Sequence, residues 1–157
     1  MGVIVVGVDQ SAGAKEALRF ALEEARLRSA TLRAVHAWQF GYIGATGMEG
    51  ALPAVGGELH DFRDAAAAAL DATLLEAIPD AGEVEVERRV VEGAPAAVLV
   101  EESWGADLLV VGSRGHGGFA QQLLGSVSQQ CAHHAQCTVV IVRSRAKYSS
   151  SASRELR

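Results

Sequence analysis

Val3 to Val8 is a short, almost continuous β-branched run that stops at Asp9, the pattern of a strand covered on both faces. The rest of the chain repeats the theme. Ser11 can cap a helix over residues 12 to 29, where Ala14, Ala17, Leu18, Ala21, Leu22 and Ala25 recur at three and four while Lys15, Glu16, Arg19, Glu23 and Glu24 take the other side. Thr31 to Trp38 is the next strand, Glu58 to Ile78 a helix with an alanine run at Ala65 to Ala69, and Asp107 to Val111 another buried strand. Between them Val84, Val86, Arg88 and Val90 alternate with Glu83, Glu85, Glu87 and Arg89, a strand with one wet face that suits a sheet edge. Pro95 opens a helix through about Trp104, Ser126 to Gln136 is a further helix, and Thr138 to Arg143 the last strand.

Strand and helix alternating in this way predict an α/β fold: one parallel sheet, Rossmann-like, with right-handed crossovers and helices on both faces. In such sheets a ligand lies beyond the carboxyl ends of the strands, where the strand order switches. Asp9 ends the first strand and Gly112 the fourth, so both fall on one rim. The core must be aliphatic, because 49% of residues are apolar but only 5% aromatic. A chain of 157 residues fits one domain able to bury roughly 70% of its unfolded surface.

Charge and cysteines exclude other classes. Residues 1 to 142 carry 9 Lys/Arg against 18 Asp/Glu, and residues 143 to 157 carry 5 against 1. An acidic body argues against nucleic acid as a partner. Cys131 and Cys137 form neither a CxxC pair nor a disulfide framework, so a reducing cytoplasm is expected. The opening residues have no basic start and too short an apolar run for a signal or a membrane span.

Gly112-Ser113-Arg114-Gly115, nine residues, then Gly125-Ser126-Val127-Ser128 come directly after the strand that ends at Val111. Glycine lets a backbone turn sharply and press N–H groups against phosphate oxygens, and a helix beginning there favours an anion. The spacing is not a P-loop, which needs GxxxxGK[ST], nor the GxGxxG dinucleotide fingerprint. Read by itself it leaves open a tight turn with no ligand.

The pattern Gly, two residues, Gly, nine residues, Gly, then Ser or Thr resembles the nucleotide-binding signature of the universal stress protein family, in its ATP-binding subclass. The likeness runs from residue 2 to 143: Ile4-Val5-Val6-Gly7-Val8-Asp9-x-Ser11, Leu32-x-x-Val35-His36-x-Trp38 and Cys137-x-Val139-Val140-Ile141-Val142-Arg143 also look like that family. It implies five parallel strands in the order 3-2-1-4-5, a domain over 1–143 and a polar tail over 144–157. It further implies ATP, with Mg²⁺ or Mn²⁺, and a homodimer through Val139 to Val142.

Carried over by position, the resemblance places Gly7, Val8 and Asp9 among the nucleotide-binding residues, with Asp9 beside the ribose and a possible metal, and Ala37 at the adenine through its backbone. Val111 and Gly112 would wall the base and ribose side, and Gly115 would admit the phosphates. Gly125, Ser126, Val127 and Ser128 would donate to them. Arg114 and His116 would turn either toward phosphate or into water. Gln10 and Thr138 depart from the family's frequent glycine and proline without touching the signature.

No activated nucleophile is evident. His36 reads as structural, His133 and His134 diverge by about 100° on a helix and make a poor metal pair, and Trp38 and Trp104 are expected to be packing anchors. Residues 39 to 57, with six glycines and one proline, form a long segment whose apolar members favour partial packing. The resulting expectation is a cytoplasmic nucleotide-responsive regulator of the stress response with protein partners the sequence does not name. A weak ATPase or adenylyl-transferring enzyme, and an interaction module with a nonfunctional site, are the alternatives.

Overall fold

The computed structural model describes residues 1–39, 59–113 and 124–144. The 39–57 segment and the 144–157 tail therefore fall, but for Gln39 and Ser144, outside the described residues. In chain order the elements are β1 (Val3–Gly7), α1 (Ala12–Arg28), β2 (Thr31–Trp38), α2 (Leu59–Ala77), β3 (Val86–Glu92), α3 (Pro95–Glu102), β4 (Leu108–Gly112), α4 (Ser126–His134) and β5 (Thr138–Val142). The strands form one parallel sheet in the order β3-β2-β1-β4-β5. Both the expected strand order and the edge position of β3 are found.

Each face of the sheet carries its own core, as the period of two along a strand requires. Ile4, Val6, Val8, Leu32, Ala34, Leu108 and Val110 pack on one face with Leu18, Leu22, Leu70 and Leu74 from α1 and α2. Val5, Val35, Leu109 and Val111 pack on the other with Val98 and Leu99 of α3 and Cys131 of α4. Beyond α3 the wet side of β3 is covered by charge: Arg33 Nε lies 2.7 Å from Glu87 Oε2 and Arg89 Nη2 2.8 Å from Glu102 Oε1, which holds the Arg89 guanidinium above its ordinary value.

Trp104 corrects one expectation. It is 68% exposed rather than a packing anchor, because Ala96, Val98, Leu99 and Ser103 take the buried side of α3 and its last turn. Trp104 lies past the end of α3 and is turned to solvent. With Ala96, Ala97, Val100, Glu101, Gln130 and His134 it lines a shallow groove of about 340 Å³ between α3 and α4. Among the described residues no helix is long and apolar enough to cross a membrane.

Candidate nucleotide site

The sheet opens at its carboxyl rim because two neighbouring strands part company. β1 pairs with β4 only as far as Val6↔Val110. It then stays with β2, where Gly7 faces Val35 and the Val8 N–H donates to the Val35 carbonyl at 2.8 Å. β4 instead follows β5 to Gly112↔Val142, and the Ser113 N–H donates to the Val142 carbonyl at 2.9 Å. The gap between them is the switch point of the strand order, where parallel sheets take their ligands.

The β1 side of the gap is self-contained. Asp9 Oδ1 accepts the Ser11 N–H at 2.8 Å and also the Ser11 hydroxyl, and Ser11 Oγ in turn accepts the Ala14 N–H at 3.2 Å and caps α1. Asp9 Oδ2 has no partner among the described residues. The Val8 carbonyl receives His36 Nδ1 at 2.8 Å, so Nδ1 carries the proton and the imidazole braces the end of β1. Val8 has thus committed both backbone groups.

Ala37 has not. The Thr31 N–H points to Gly2 on the β1 side, whereas the Leu32 N–H points to Glu85 on the β3 side, so the odd residues of β2 present their backbone toward β1. The last bond on that side is Val8 to Val35. Past it, the N–H and C=O of Ala37 face the gap without a backbone partner among the described residues, a donor beside an acceptor.

The β4 side is built on close backbone approach. A Cβ on Gly112 would lie 3.1 Å from the carbonyl carbon and oxygen of Gly13, so the end of β4 lies directly against the first turn of α1. A Cβ on Gly7 would lie 2.7 Å from Leu99 Cδ1. Val111, 3% exposed, sits in the core, so its side chain supports the gap from below and only its backbone is offered upward.

At α4 the four residues expected to donate divide. The Gly125 N–H is held by the Ser113 carbonyl at 2.7 Å, and the hydroxyl of buried Ser128 is held by the Gly125 carbonyl at 2.9 Å. The first helical bond runs from the Gln129 N–H to the Gly125 carbonyl, and Gly125 supplies no side-chain cap. The N–H groups of Ser126, Val127 and Ser128 therefore have no intrahelical acceptor, and the Ser126 side chain is exposed beside them.

Arg114, Gly115 and His116 lie outside the described residues. Sequence reasoning missed Gly13 and Ser113. A glycine in the first turn of an otherwise alanine-rich helix costs helix propensity, and that cost was the available signal for a backbone packed against it. Ser113, 6% exposed, ties β4, β5 and α4 through its own backbone, which leaves no mark in sequence.

The chemistry of the rim suits an anion attached to a group with a paired donor and acceptor edge. A metal fits in a restricted way. Among the described residues no cluster of three or more His, Cys, Asp or Glu could hold one. One open oxygen on Asp9 matches a hard ion that draws its remaining ligands from water and phosphate. His133 and His134 are exposed, with ring centroids 6.3 Å apart, and form no such cluster.

The universal stress protein family matches residues 1–143. A universal stress protein of Mycolicibacterium smegmatis is 37% identical over 145 residues, which are 90% of this chain and 46% of the relative. The chain thus spans about half the length of that relative. A universal stress protein solved in complex with cAMP is 30% identical, with a TM-score of 0.65 and coverage of 90% of this chain and 96% of that one. The UspA protein of Lactobacillus plantarum, at 20% identity and a TM-score of 0.69, shares the fold over 90% of this chain and 97% of its own.

Proposed function

Because the chain belongs to the universal stress protein family, we propose that it binds ATP at this rim and acts as a nucleotide-responsive regulator of the stress response in the cytoplasm. One observation carries the reading: backbone groups without a partner among the described residues stand on both sides of the gap, the Ala37 pair on β2 and the Ser126 to Ser128 N–H groups on α4. The first pair matches the hydrogen-bonding edge of adenine, and the second matches phosphate at a positive helix end.

In this reading Gly7, Val8, Val111 and Gly112 form the floor, and Asp9 meets the ribose and, through Oδ2, a Mg²⁺ or Mn²⁺ ion carried by the phosphates. Gly115 admits the phosphate chain, and Arg114 and His116 are the loop residues offered to it. Residues 1–143 are the working domain and 144–157 a tail. The open edge of β5, where Val139 to Val142 are only partly buried, pairs two copies into a homodimer. Sedimentation giving only monomer at micromolar concentration would contradict that pairing.

Hydrolysis is expected to be weak or absent, since backbone donors place phosphate but supply neither a nucleophile nor a water-orienting group. Product analysis after incubation with ATP separates the cases: AMP with pyrophosphate would indicate an adenylyl-type enzyme, slow ADP a weak ATPase. Titration calorimetry with ATP and Mg²⁺ on nucleotide-free protein and on Gly115→Val tests the site itself. Wild type should bind and the variant should not; no binding by the folded wild type overturns the reading.

A second ligand has an observation of its own in the cAMP complex of the relative at 30% identity. A cyclic monophosphate would use the same adenine edge and fewer donors at α4. Competition between ATP and cAMP in the same titration ranks the two.

A further inference from the structure

We infer that Arg143 reads the length of the phosphate chain at this site, an inference that rests on the nucleotide reading above. Two hydrogen bonds locate it. The Val142 carbonyl accepts the Ser113 N–H at 2.9 Å, and the Ser113 carbonyl accepts the Gly125 N–H at 2.7 Å, so the residue after Val142 begins beside the open end of α4. Alternation sets its face: Val140 and Val142 pack with the α1 core, Val139 and Ile141 with the α4 core, and Arg143 comes next on the α4 side.

The other described cations are committed elsewhere. Lys15 and the arginines of α1, β2 and β3 each engage a carboxylate or a backbone carbonyl. Arg63 stands on α2, which packs mainly against α1, β2 and β3 on the face of the sheet opposite α4. Arg143 is exposed, and none of the ion pairs found among the described residues includes it.

The donors at α4 are neutral N–H groups and one hydroxyl, enough for a single phosphate. A second and third phosphate bring charge that calls for a further cation beside the metal ion and Arg114 of the proposed function. A guanidinium at the end of β5 supplies it in a forked geometry matched to phosphate oxygens, through charge-assisted bonds about twice as strong as neutral ones. Arg143 is therefore a specificity-determining residue: nearly silent toward AMP, engaged by ATP.

The test is calorimetric titration of the full chain with adenosine, AMP and ATP, for wild type, Arg143→Gln and Arg143→Lys, with far-UV dichroism and sedimentation to verify unchanged fold and assembly. Arg143→Gln should weaken ATP about ten-fold or more, as expected for loss of a bond to a charged group, while AMP and adenosine stay within about two-fold. Arg143→Lys should recover part of the ATP loss. Equal losses for ATP and AMP, or wild-type ATP affinity in Arg143→Gln, would overturn the inference and leave the nucleotide site standing. Wild type binding none of the three would remove the site and the inference together.

Discussion

The turn after β1 and the turn after β4 both lead toward helices at the same rim, yet they treat their hydrogen-bonding groups in opposite ways. In the first, Ser11 caps α1 and Asp9 holds Ser11, so the helix end satisfies itself within a few residues. In the second, α4 starts at Gly125 with no side chain to cap it, and its first-turn N–H groups find no acceptor among the described residues. A capped end contributes to stability and offers little to a ligand. An end that begins at glycine forgoes only a few tenths of a kcal/mol of helix stability and leaves its N–H groups to an anion. On the proposed function, the contrast gives phosphate binding to the open helix end and leaves the closed turn to meet the nucleotide through Asp9.

The contact that joins the two turns should give the largest effect when broken. Gly112→Val pushes a branched side chain against the Gly13 backbone, 3.1 Å from where the Cβ would be, and backbone yields less than a side chain. A loss of about 1–3 kcal/mol in urea unfolding is expected, the range for overpacking. A neutral result would show that the turns are not rigidly packed together.

Removing the cap on the closed turn comes next. Ser11→Ala should cost about 1 kcal/mol by denaturant titration, since the Ala14 N–H loses its acceptor and Asp9 loses its donor hydroxyl. Adding a cap to the open turn is the converse change. Gly125 has φ −64° and ψ 162°, which any residue adopts, so Gly125→Asp should stabilise the fold by only a few tenths of a kcal/mol. The same substitution places a carboxylate at the proposed phosphate position and should abolish ATP binding. Stability and binding moving in opposite directions at one residue would sharpen the comparison; a variant that still binds ATP would break it.

A smaller effect tests whether the polar role of α4 is confined to its first turn. Farther along, Cys131 is fully buried, and burial first, with nearby Cys137 second, lifts its thiol from 9.0 to about 11. Since the folded value is raised, the stability tied to the neutral thiol is complete below pH 9.0 and falls as pH rises toward about 11. Alkylation of native protein at about pH 8, below the ordinary thiol value, should label Cys137 well ahead of Cys131. Equal rates would mean that the second half of α4 opens readily.

Much of this was legible in the sequence because the fold rests on period. Val3 to Val8 and Asp107 to Val111 read as strands covered on both faces, and the sheet order found is the one the resemblance implies. Boundaries shifted by a residue: β4 begins at Leu108 rather than Asp107, and β5 ends at Val142 rather than Arg143, where its ladder with β4 stops. What period cannot show is which neighbour occupies a given group. Gly125 and Ser128 read as donors alike with Ser126, yet Ser113 and Gly125 carbonyls take the Gly125 N–H and the Ser128 hydroxyl. Trp104 was misjudged by residue type. The helical spacing of Ala96, Leu99 and Ser103 already pointed the other way.

On the proposed function, the end of α4, and not that of α1, receives the phosphates. Amide-resolved NMR of the protein titrated with ATP and Mg²⁺ reads both ends in one experiment. Large saturating shifts at the Ser126, Val127, Ser128 and Ala37 amides, with the Ala14 amide held by its cap and little changed, are the predicted result. Saturable ATP binding that leaves Ser126 to Ser128 unshifted would contradict it.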